Sequence, residues 1–292
     1  MKNNIRYFYG ININDIHHYN DEYYFKNHNE YYLFAPCYHN LNLVNRIYDF
    51  LHNNNIYCLE IIVNKDNEMI SMVNNRPYIL LKDYCFNRLI DIKDIINYTI
   101  NINSYKDDNW YNMWTEKLDY YEYQMDQYEH KYPLLYDSFF YYDGLTEMAI
   151  SLLNSVDFKN IHYYISHQRI THHSTLRSLY NPLNLIIDTR VRDIAEYFKY
   201  KFFYNILSIV DIDNYIFNSN LSYDEALLFL IRMIYPSYYF DLYDDIIRGN
   251  QQEDKINIII EHNKKYELLL KHIYKTLNNY YRMPEIEWFN TN

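Results

Sequence analysis

The chain has 292 residues, of which 49% are hydrophobic and 20% aromatic. That apolar content is too high for a disordered chain, so the sequence predicts one large folded domain or two smaller ones. The formal net charge of −11 disfavours a general nucleic-acid binder, because phosphate backbones would be repelled.

No run of 18 or more apolar residues occurs, and the residues after Met1 lead into no hydrophobic signal core. The sequence therefore predicts neither a membrane span nor a secretory signal, and we expect a cytoplasmic protein without a membrane partner. Cys37, Cys58 and Cys85 match neither a disulfide framework nor a CxxC zinc site. We expect these cysteines to be reduced thiols in the core.

Glycine is rare in this chain. Only Gly10, Gly144 and Gly249 are present, so neither GxGxxG nor GxxxxGK[ST] occurs anywhere. Loops that cradle phosphates need positive φ and close backbone approach, which glycine provides at the lowest cost. The composition therefore removes the main support for Rossmann-type dinucleotide binding and for Walker-type phosphate binding.

The first hundred residues predict a small antiparallel sheet crossed by one helix. Val44, Ile47, Tyr48 and Leu51 recur at helical spacing. Strands are predicted at 22–25, 31–35, 57–63, 69–73 and 78–81. Residues 65–67 and 74–75 are Asp- and Asn-rich and predict hairpin turns between strands.

After about residue 105 the apolar spacing becomes helical. Positions 110, 114, 118, 121, 125 and 128 predict one long helix that Pro133 ends. A second helix is predicted at 145–152 and a third at 194–209. Ser222 and Glu225 form a capping-box signature for a further helix, and helical spacing continues from 256 to 277.

These patterns predict an α+β protein in two parts. A sheet-rich domain with one helix is assigned to residues 1–90, and a mostly helical domain to residues 91–292. No linker rich in glycine and serine marks the boundary, so we expect the two parts to pack tightly.

Two apolar runs carry a chemical pattern. The first is Tyr-Tyr-Ile-Ser-His-Gln-Arg-Ile at 163–170, and the second is Asn-Leu-Ile-Ile-Asp-Thr-Arg-Val-Arg-Asp-Ile-Ala at 184–195. This layout resembles the aminoglycoside-phosphotransferase and choline-kinase group, in which one strand leads into His-Gly-Asp and a second ends in Ile-Asp before an Asp-Leu-Ala helix. The resemblance implies a two-lobed protein-kinase-like fold.

The match extends further along one branch, the kinase-like spore coat proteins of the CotS type. Residues 221–247, with a Tyr-Pro break and a tyrosine-rich helix after it, resemble that branch, as does the tryptophan-bearing stretch 107–124. The resemblance covers nearly the whole chain. It implies synthesis in the cytoplasm and association with the spore coat.

The resemblance also implies which residues would transfer a phosphoryl group, and several are missing. The catalytic aspartate of the vestigial loop His167, Gln168, Arg169 falls on Arg169, which cannot accept a proton. The metal-binding asparagine falls on Ser174, and Asn184 in the next strand is a poor substitute. The third strand, 31–37, has no lysine for the phosphates, and the following helix offers Asp49 where a lysine-pairing glutamate is expected.

Asp188 is retained where the resemblance places a metal-chelating aspartate. Asp193 follows after five residues and would brace the catalytic loop, a structural duty that needs no catalysis. The alternative for Asp188 is a carboxylate that accepts local backbone N–H groups or pairs with Arg190 or Arg192.

Other candidates have a structural alternative that we favour. A histidine bonded to main chain is favoured over an acid–base role for His167. The pairs His17-His18 and His172-His173 are favoured as loop residues over metal ligands. Internal salt bridges are favoured over an anion-binding site for four arginines: Arg169, Arg177, Arg190 and Arg192. For Trp110 and Trp114, a place in the core is favoured over a platform for ligand stacking.

The sequence thus predicts a catalytically inactive kinase-like protein, a pseudokinase that acts as a binding or structural component. We expect protein partners, no nucleic acid and no cofactor. The alternative is an active small-molecule phosphotransferase that binds Mg-ATP through Asp188 with a base from outside the motif. An interaction module unrelated to kinases is a third possibility.

Overall fold

The computed structural model describes residues 1–19, 21–38, 40–83, 88–102 and 110–290, except for the side chains of Trp110 and Asn290. Cys85 and residues 107–109 of the tryptophan-bearing stretch lie outside the described residues. The chain divides into two compact units. The first contains Met1–Tyr98 and His167–Ile186, and the second contains Thr99–Ser166 and Ile187–Asn292. The division at residue 90 as an independent domain boundary stays a prediction.

The first part of the chain forms a six-stranded antiparallel sheet in the order β1-β2-β3-β6-β4, with β5 also paired to β6. The elements are α1 Lys2–Tyr9, β1 Ile16–Tyr19, β2 Glu22–Asn27, β3 Glu30–Pro36, α2 Leu41–Asn53, β4 Glu60–Ile62, β5 Ser71–Val73, β6 Arg76–Asp83 and α3 Ile92–Asn97.

The β5–β6 hairpin shows why the predicted turns form. Asn74 and Asn75 have φ of 51° and 61°, so Val73 pairs directly with Arg76. Two successive residues with positive φ are the requirement of a type I′ hairpin turn, which asparagine tolerates. In the other predicted turn, Asn67 also has a positive φ, of 60°, and the N–H of Asn64 donates to the carbonyl oxygen of Glu68. The prediction of a hairpin there is wrong, because β4 and β5 each pair with β6 and not with each other.

The two faces of this sheet bury different clusters because side chains alternate along a strand. Leu33 and Ala35 of β3 point to one face, where Val44 of α2 joins them. Phe34 points to the other face, where α1 contributes Ile5. The sequence patterns missed α1, α3 and β1, so the prediction of a single helix in this part was wrong, although they identified α2 and the remaining longer strands.

The second part of the chain is mostly helical. Its elements are β7 Ile100–Asn101, α4 Trp110–Tyr128, α5 Pro133–Leu153, β8 Tyr164–His167, α6 Leu176–Tyr180, β9 Leu185–Asp188, α7 Val191–Phe203, α8 Ile209–Asn218, α9 Tyr223–Ile234, α10 Ser237–Ile247, α11 Ile256–Ile260, α12 Asn263–Asn278 and α13 Glu287–Asn290. β7, β8 and β9 form a small sheet in that order.

Local signals explain several helix ends in this part. Pro133 is the first residue of α5, where its missing N–H costs nothing, so it starts a helix as well as following one. The predicted third helix is two helices, because Asn205 between α7 and α8 has a φ of 57° that α-helix cannot contain. The capping box of Ser222 and Glu225 opens α9 as predicted.

Candidate functional site

His167 ends β8 in the interior of the first unit. Its side chain is 2% exposed, and its Nε2 lies 2.9 Å from the carbonyl oxygen of Leu179. The ring of Tyr98 lies 6.0 Å away. This is the main-chain-bonded histidine that the sequence analysis favoured over an acid–base residue.

Two residues further along lies Arg169, at the position that the sequence resemblance assigns to a catalytic aspartate. Its side chain is exposed, and its Nη1 donates to the carbonyl oxygen of Gln168 at 3.0 Å. The N–H of Gln168 donates to the carbonyl oxygen of Asn184, and Asn184 Nδ2 donates to the carbonyl of Ser178 at 3.1 Å. Asn184 therefore braces the loop, and the side chain at the position where the resemblance implies a proton acceptor is a guanidinium.

The loop between Arg169 and Asn184 packs as part of the first unit. The N–H of Ile90 donates to Ser174, the N–H of Leu176 to Arg88, and the N–H of Leu59 to Tyr180. Ser174, at the predicted position of the metal-binding asparagine, accepts the N–H of Thr171 through its hydroxyl at 3.0 Å. The loop is thus long, contains α6, and is tied to the sheet-rich part by main-chain bonds.

A pocket of about 330 Å³ lies between this loop and the sheet, entirely within the first unit. Leu33 and Ala35 of β3 form its apolar wall, on the strand where the family's phosphate lysine is expected. Arg177 of α6 lines the pocket, where its guanidinium pairs with the buried Asp83 and covers the Tyr24 ring at 4.8 Å. Its charge is therefore neutralised internally, and Asp49, the predicted acid of α2, is exposed.

Asp188 ends β9 in the second unit and is almost completely buried, with 6% exposure. Arg232 Nη2 of α9 lies 2.6 and 2.7 Å from its two oxygens. Arg192 Nη1 donates to Oδ2 at 2.9 Å, and the N–H of Thr189 donates to Oδ1 at 2.6 Å. One carboxylate is thus held by two guanidinium groups and a backbone amide.

A second buried ion pair, between Glu196 and Lys199, lies on α7, the helix that also carries Arg192. Lys199 Nζ of α7 is 2.7 Å from Glu196 Oε1 and 2.6 Å from Ser237 Oγ, and it also donates to the carbonyls of Arg232 and Tyr235. Burial opposes ionisation of Glu196, but the Lys199 ammonium and the Arg192 guanidinium outweigh it and lower the pKa of Glu196 to about 2. We call Asp188, Arg232, Glu196, Lys199 and their hydrogen-bond partners the buried charge network.

The other predicted residues have mostly structural surroundings. Arg190 Nε donates to Glu225 at 2.6 Å, so Arg177, Arg190 and Arg192 are all in salt bridges, as favoured. Asp193 is buried in the first turn of α7, where the helix dipole favours a carboxylate. Its role in bracing the loop stays a prediction.

The aromatic and histidine candidates also have packing roles. Trp114 is buried and stacks on Tyr235 at 4.2 Å, as expected of a core residue. His17 and His18 lie on β1, which corrects their assignment to a loop. His172 and His173 contact each other ring to ring, and burial, with the neighbouring His173, lowers the pKa of His172.

The surroundings of Asp188 do not fit a magnesium ion. Mg²⁺ is bound through oxygen ligands, and two guanidinium cations against the same carboxylate would repel a divalent ion. Within the described ranges, no group of three or more His, Cys, Asp or Glu side chains could hold a metal. The chelating role that the resemblance implied for Asp188 is therefore at odds with its contacts.

A family model described as "Spore coat putative kinase YutH" matches residues 2–273. The chain belongs to this YutH family of putative spore coat kinases. The sequence-based prediction of a kinase-like spore coat protein is thereby confirmed. Among curated proteins, none matches the sequence significantly.

Solved structures share the fold over nearly the whole chain. An aminoglycoside phosphotransferase from Alicyclobacillus acidocaldarius has a TM-score of 0.62 at 8% identity, with 93% of this chain and 94% of that chain covered. The spectinomycin phosphotransferase APH(9)-Ia, bound to ADP and spectinomycin, gives 0.60 at 13% identity, with 94% and 97% covered. Amicoumacin kinase hAmiN gives 0.50 at 9% identity, with 92% and 90% covered. These likenesses establish the predicted kinase-like phosphotransferase fold.

Sequence reasoning identified Asp188 but missed Arg232, its principal partner. The two residues are 44 positions apart, and no spacing rule connects them. The available signal was a lone arginine in the apolar run Ala-Leu-Leu-Phe-Leu-Ile-Arg-Met-Ile, where a fully buried cation requires an anion.

No membrane-spanning helix is found in the part of the chain that the structure describes.

Proposed function

We propose that this member of the YutH family is a pseudokinase, a kinase-like protein without phosphotransfer activity that serves as a binding or structural component of the spore coat. The observation that carries the proposal is the set of contacts around Asp188. Its carboxylate is buried against Arg232 and Arg192, where a kinase would need it for a metal ion.

The energetics favour the ion pairs over a metal. For Asp188 to chelate Mg²⁺, it would have to release Arg232, whose side chain is 6% exposed. Leaving one partner of a buried pair uncompensated costs about 3–5 kcal/mol. A metal site at this position would therefore begin with a large penalty.

The expected absence of three other catalytic groups, a base, a metal-binding amide and a phosphate-binding lysine, supports the proposal. Arg169 cannot act as a base, Ser174 uses its hydroxyl in a local turn, and Leu33 and Ala35 place apolar side chains on the strand where a lysine is expected. Phosphoryl transfer depends on positioning and charge neutralisation, so each loss removes a separate contribution. We therefore propose that neither a nucleotide nor a metal is a required cofactor.

Membership of a spore coat family supports association with the coat. We propose synthesis in the cytoplasm, followed by deposition through protein partners, without a role for nucleic acid or membrane. The negative net charge is consistent with the absence of nucleic-acid binding.

The second candidate is an active small-molecule phosphotransferase with a non-standard site. It is favoured by the retained buried carboxylate of Asp188 and by the fold shared with antibiotic kinases. In that case Asp188 would bind magnesium, and a carboxylate outside the motif would act as base.

Thermal unfolding with and without Mg-ATP distinguishes the two. A protein that binds a ligand at one hundred times its dissociation constant gains about 2.7 kcal/mol of stability. We expect millimolar Mg-ATP to leave the melting temperature of the wild-type chain unchanged relative to ATP with EDTA. A magnesium-dependent rise, together with phosphate release, would contradict the proposal.

The variant Asp188→Asn sharpens this test. If Asp188 is a metal ligand, its loss abolishes any Mg-ATP shift and leaves the apo stability nearly intact. If it is the anion of a buried pair, the variant loses about 3–5 kcal/mol in the absence of any ligand. Asp211→Asn is the control, because Asp211 pairs with Lys201 at the surface, and we expect a loss of at most about 1 kcal/mol.

A further inference from the structure

The helix pair α4–α5 carries more than half of the net charge of the chain. Residues 110–153 contain eight carboxylates and two lysines, a net charge of −6 out of −11. Glu116, Asp119, Glu122 and Asp126 are all exposed on α4. Asp137 and Glu147 are exposed on α5.

Within the described ranges, these carboxylates have no cationic partner at salt-bridge distance. Among the residues that the structure describes, none of the eight lies in a salt bridge, whereas the buried acids Asp188, Glu196 and Glu225 are each paired. Glu122 and Asp143 contact each other across the two helices, although both are acids. Acids from two helices are therefore brought together without a salt bridge to any described cation.

Large apolar and aromatic side chains interleave with the acids. On α4, Met113, Tyr120 and Tyr123 are 51%, 55% and 66% exposed. Together with Glu116 they follow a spacing of three, four and three residues, which places all four on one stripe of the helix. On α5, Phe140 is 60% exposed and lies three residues from Asp143. We call this surface, the exposed side of α4 and α5, the acidic aromatic face.

We propose that the acidic aromatic face binds an arginine-rich segment of a partner protein. Uncompensated carboxylates attract cations, and exposed tyrosine rings add guanidinium stacking and cation–π contacts. Tyrosine and methionine are also enriched in protein interfaces.

Charge complementarity argues against the other occupants. Nucleic acids and anionic lipid surfaces would be repelled by a net charge of −6. A second copy would bring two acidic faces together, which like charges disfavour. A divalent cation is disfavoured because the described residues contain no cluster of three metal-ligating side chains.

The inference goes beyond the proposed function, since an active phosphotransferase of this fold could carry the same surface. Its failure is distinguishable from failure of the pseudokinase proposal. Peptide binding at α4–α5 tests the acidic aromatic face, whereas Mg-ATP binding tests the pseudokinase proposal.

The test is fluorescence anisotropy of labelled nona-arginine titrated with the full chain at 50 mM NaCl. The face variant combines Glu116→Gln, Asp119→Asn, Glu122→Gln and Asp126→Asn. The control combines Asp49→Asn, Asp66→Asn, Glu68→Gln and Glu261→Gln, four exposed acids outside α4 and α5. Both variants carry a net charge of −7, so they attract the peptide equally at long range.

We expect the face variant to bind nona-arginine at least tenfold more weakly than wild type, and the control less than threefold more weakly. Tyr120→Ser with Tyr123→Ser, at unchanged charge, should weaken nona-arginine binding about threefold and nona-lysine binding less. Raising NaCl to 300 mM should weaken wild-type binding strongly, because exposed charges are screened.

Equal losses in the face and control variants would overturn the proposal, because binding would then follow net charge alone. Absence of nona-arginine binding at 50 mM NaCl would overturn it as well, as would tyrosine variants that bind like wild type. Concentration-dependent dimerisation that the face variant abolishes would identify a second copy as the occupant. Circular dichroism of each variant checks that the helices remain folded.

Discussion

Two regions of the second unit treat carboxylates in opposite ways. In the buried charge network, Asp188 and Glu196 are almost inaccessible, and each lies within 3 Å of a cation. On the acidic aromatic face, eight carboxylates between residues 110 and 153 form no salt bridge within the described ranges. The same side-chain type thus stabilises the interior and leaves a charged surface uncompensated.

The difference shows where charge has a structural duty in this protein. A buried carboxylate must be paired, because its removal from water carries a large desolvation free energy. An exposed carboxylate remains hydrated and avoids most of that cost. An exposed carboxylate can stay unpaired at little cost and remains available to an external cation. The two regions should therefore respond with opposite sign to pH, and mutations should affect them to very different extents.

The largest expected effect is the loss of Arg232. Arg232→Met should destabilise the chain by about 3–5 kcal/mol in chemical denaturation, because Asp188 would remain buried with only part of its partners. The double variant Asp188→Leu with Arg232→Met should recover much of that loss, since it removes both charges. If the single variant is as stable as wild type, the buried charge network does not stabilise the fold.

Glu196→Gln should have the next largest effect, about 2 kcal/mol at pH 7, because Lys199 loses a charged partner but keeps three other acceptors. The pKa of Glu196 is lowered to about 2 in the fold from 4.5, so its stabilisation is present above pH 4.5 and is lost as pH falls towards 2. Urea unfolding between pH 2.5 and 7 measures this. The variant should lose less stability on acidification than wild type does.

Asp143→Asn should give a smaller effect of opposite sign. Burial, with the charges of Glu122 and Glu147, raises the pKa of Asp143 to about 6 from 3.8. A raised carboxyl pKa favours the protonated fold, so wild-type stability is lost as pH rises from about 4 to 6. After allowance for solvent screening, the variant should be more stable by up to about 1 kcal/mol at pH 8 and equal at pH 3.5. A destabilised variant at pH 8 would mean that Asp143 has a favourable partner.

The smallest expected effect is that of chelation. Millimolar EDTA should shift the melting temperature by less than 1 °C, because guanidinium groups and not a metal ion hold Asp188. Such a shift corresponds to a change of roughly 0.1 kcal/mol in the free energy of unfolding. Differential scanning calorimetry before and after dialysis against EDTA measures it. A decrease of several degrees, restored by magnesium, would indicate a structural metal site and would contradict the assignment of Asp188 to the buried charge network.

Much of the fold could be predicted from local patterns. The strands predicted at 22–25, 31–35 and 78–81 correspond to β2, β3 and β6, helical spacing identified α2 and α4, and Ser222 with Glu225 marked the start of α9. The helix α1 was missed because Lys-Asn-Asn-Ile-Arg-Tyr-Phe-Tyr is mostly polar at its start and buries only Ile5 completely. The split between α7 and α8 was missed because Asn205 carries a left-handed conformation usually signalled by glycine.

The candidate site was only half predictable for the same physical reason. The proposed absence of an acid at Arg169 and of a lysine on β3 depends on the residue types at single positions. The pairing of Asp188 with Arg232, and of Arg177 with Asp83, depends on contacts between residues far apart in the chain. Sequence resemblance therefore predicts which functional groups the site lacks, whereas only the fold identifies the partners of Asp188 and Arg177.

The guanidinium of Arg232 differs from a metal ion in one practical respect, since it is covalently attached. It cannot diffuse away when the surroundings are dried, washed or depleted of salts. This part of the second unit therefore keeps its internal order in a medium stripped of metal ions, with no need to recruit an ion again.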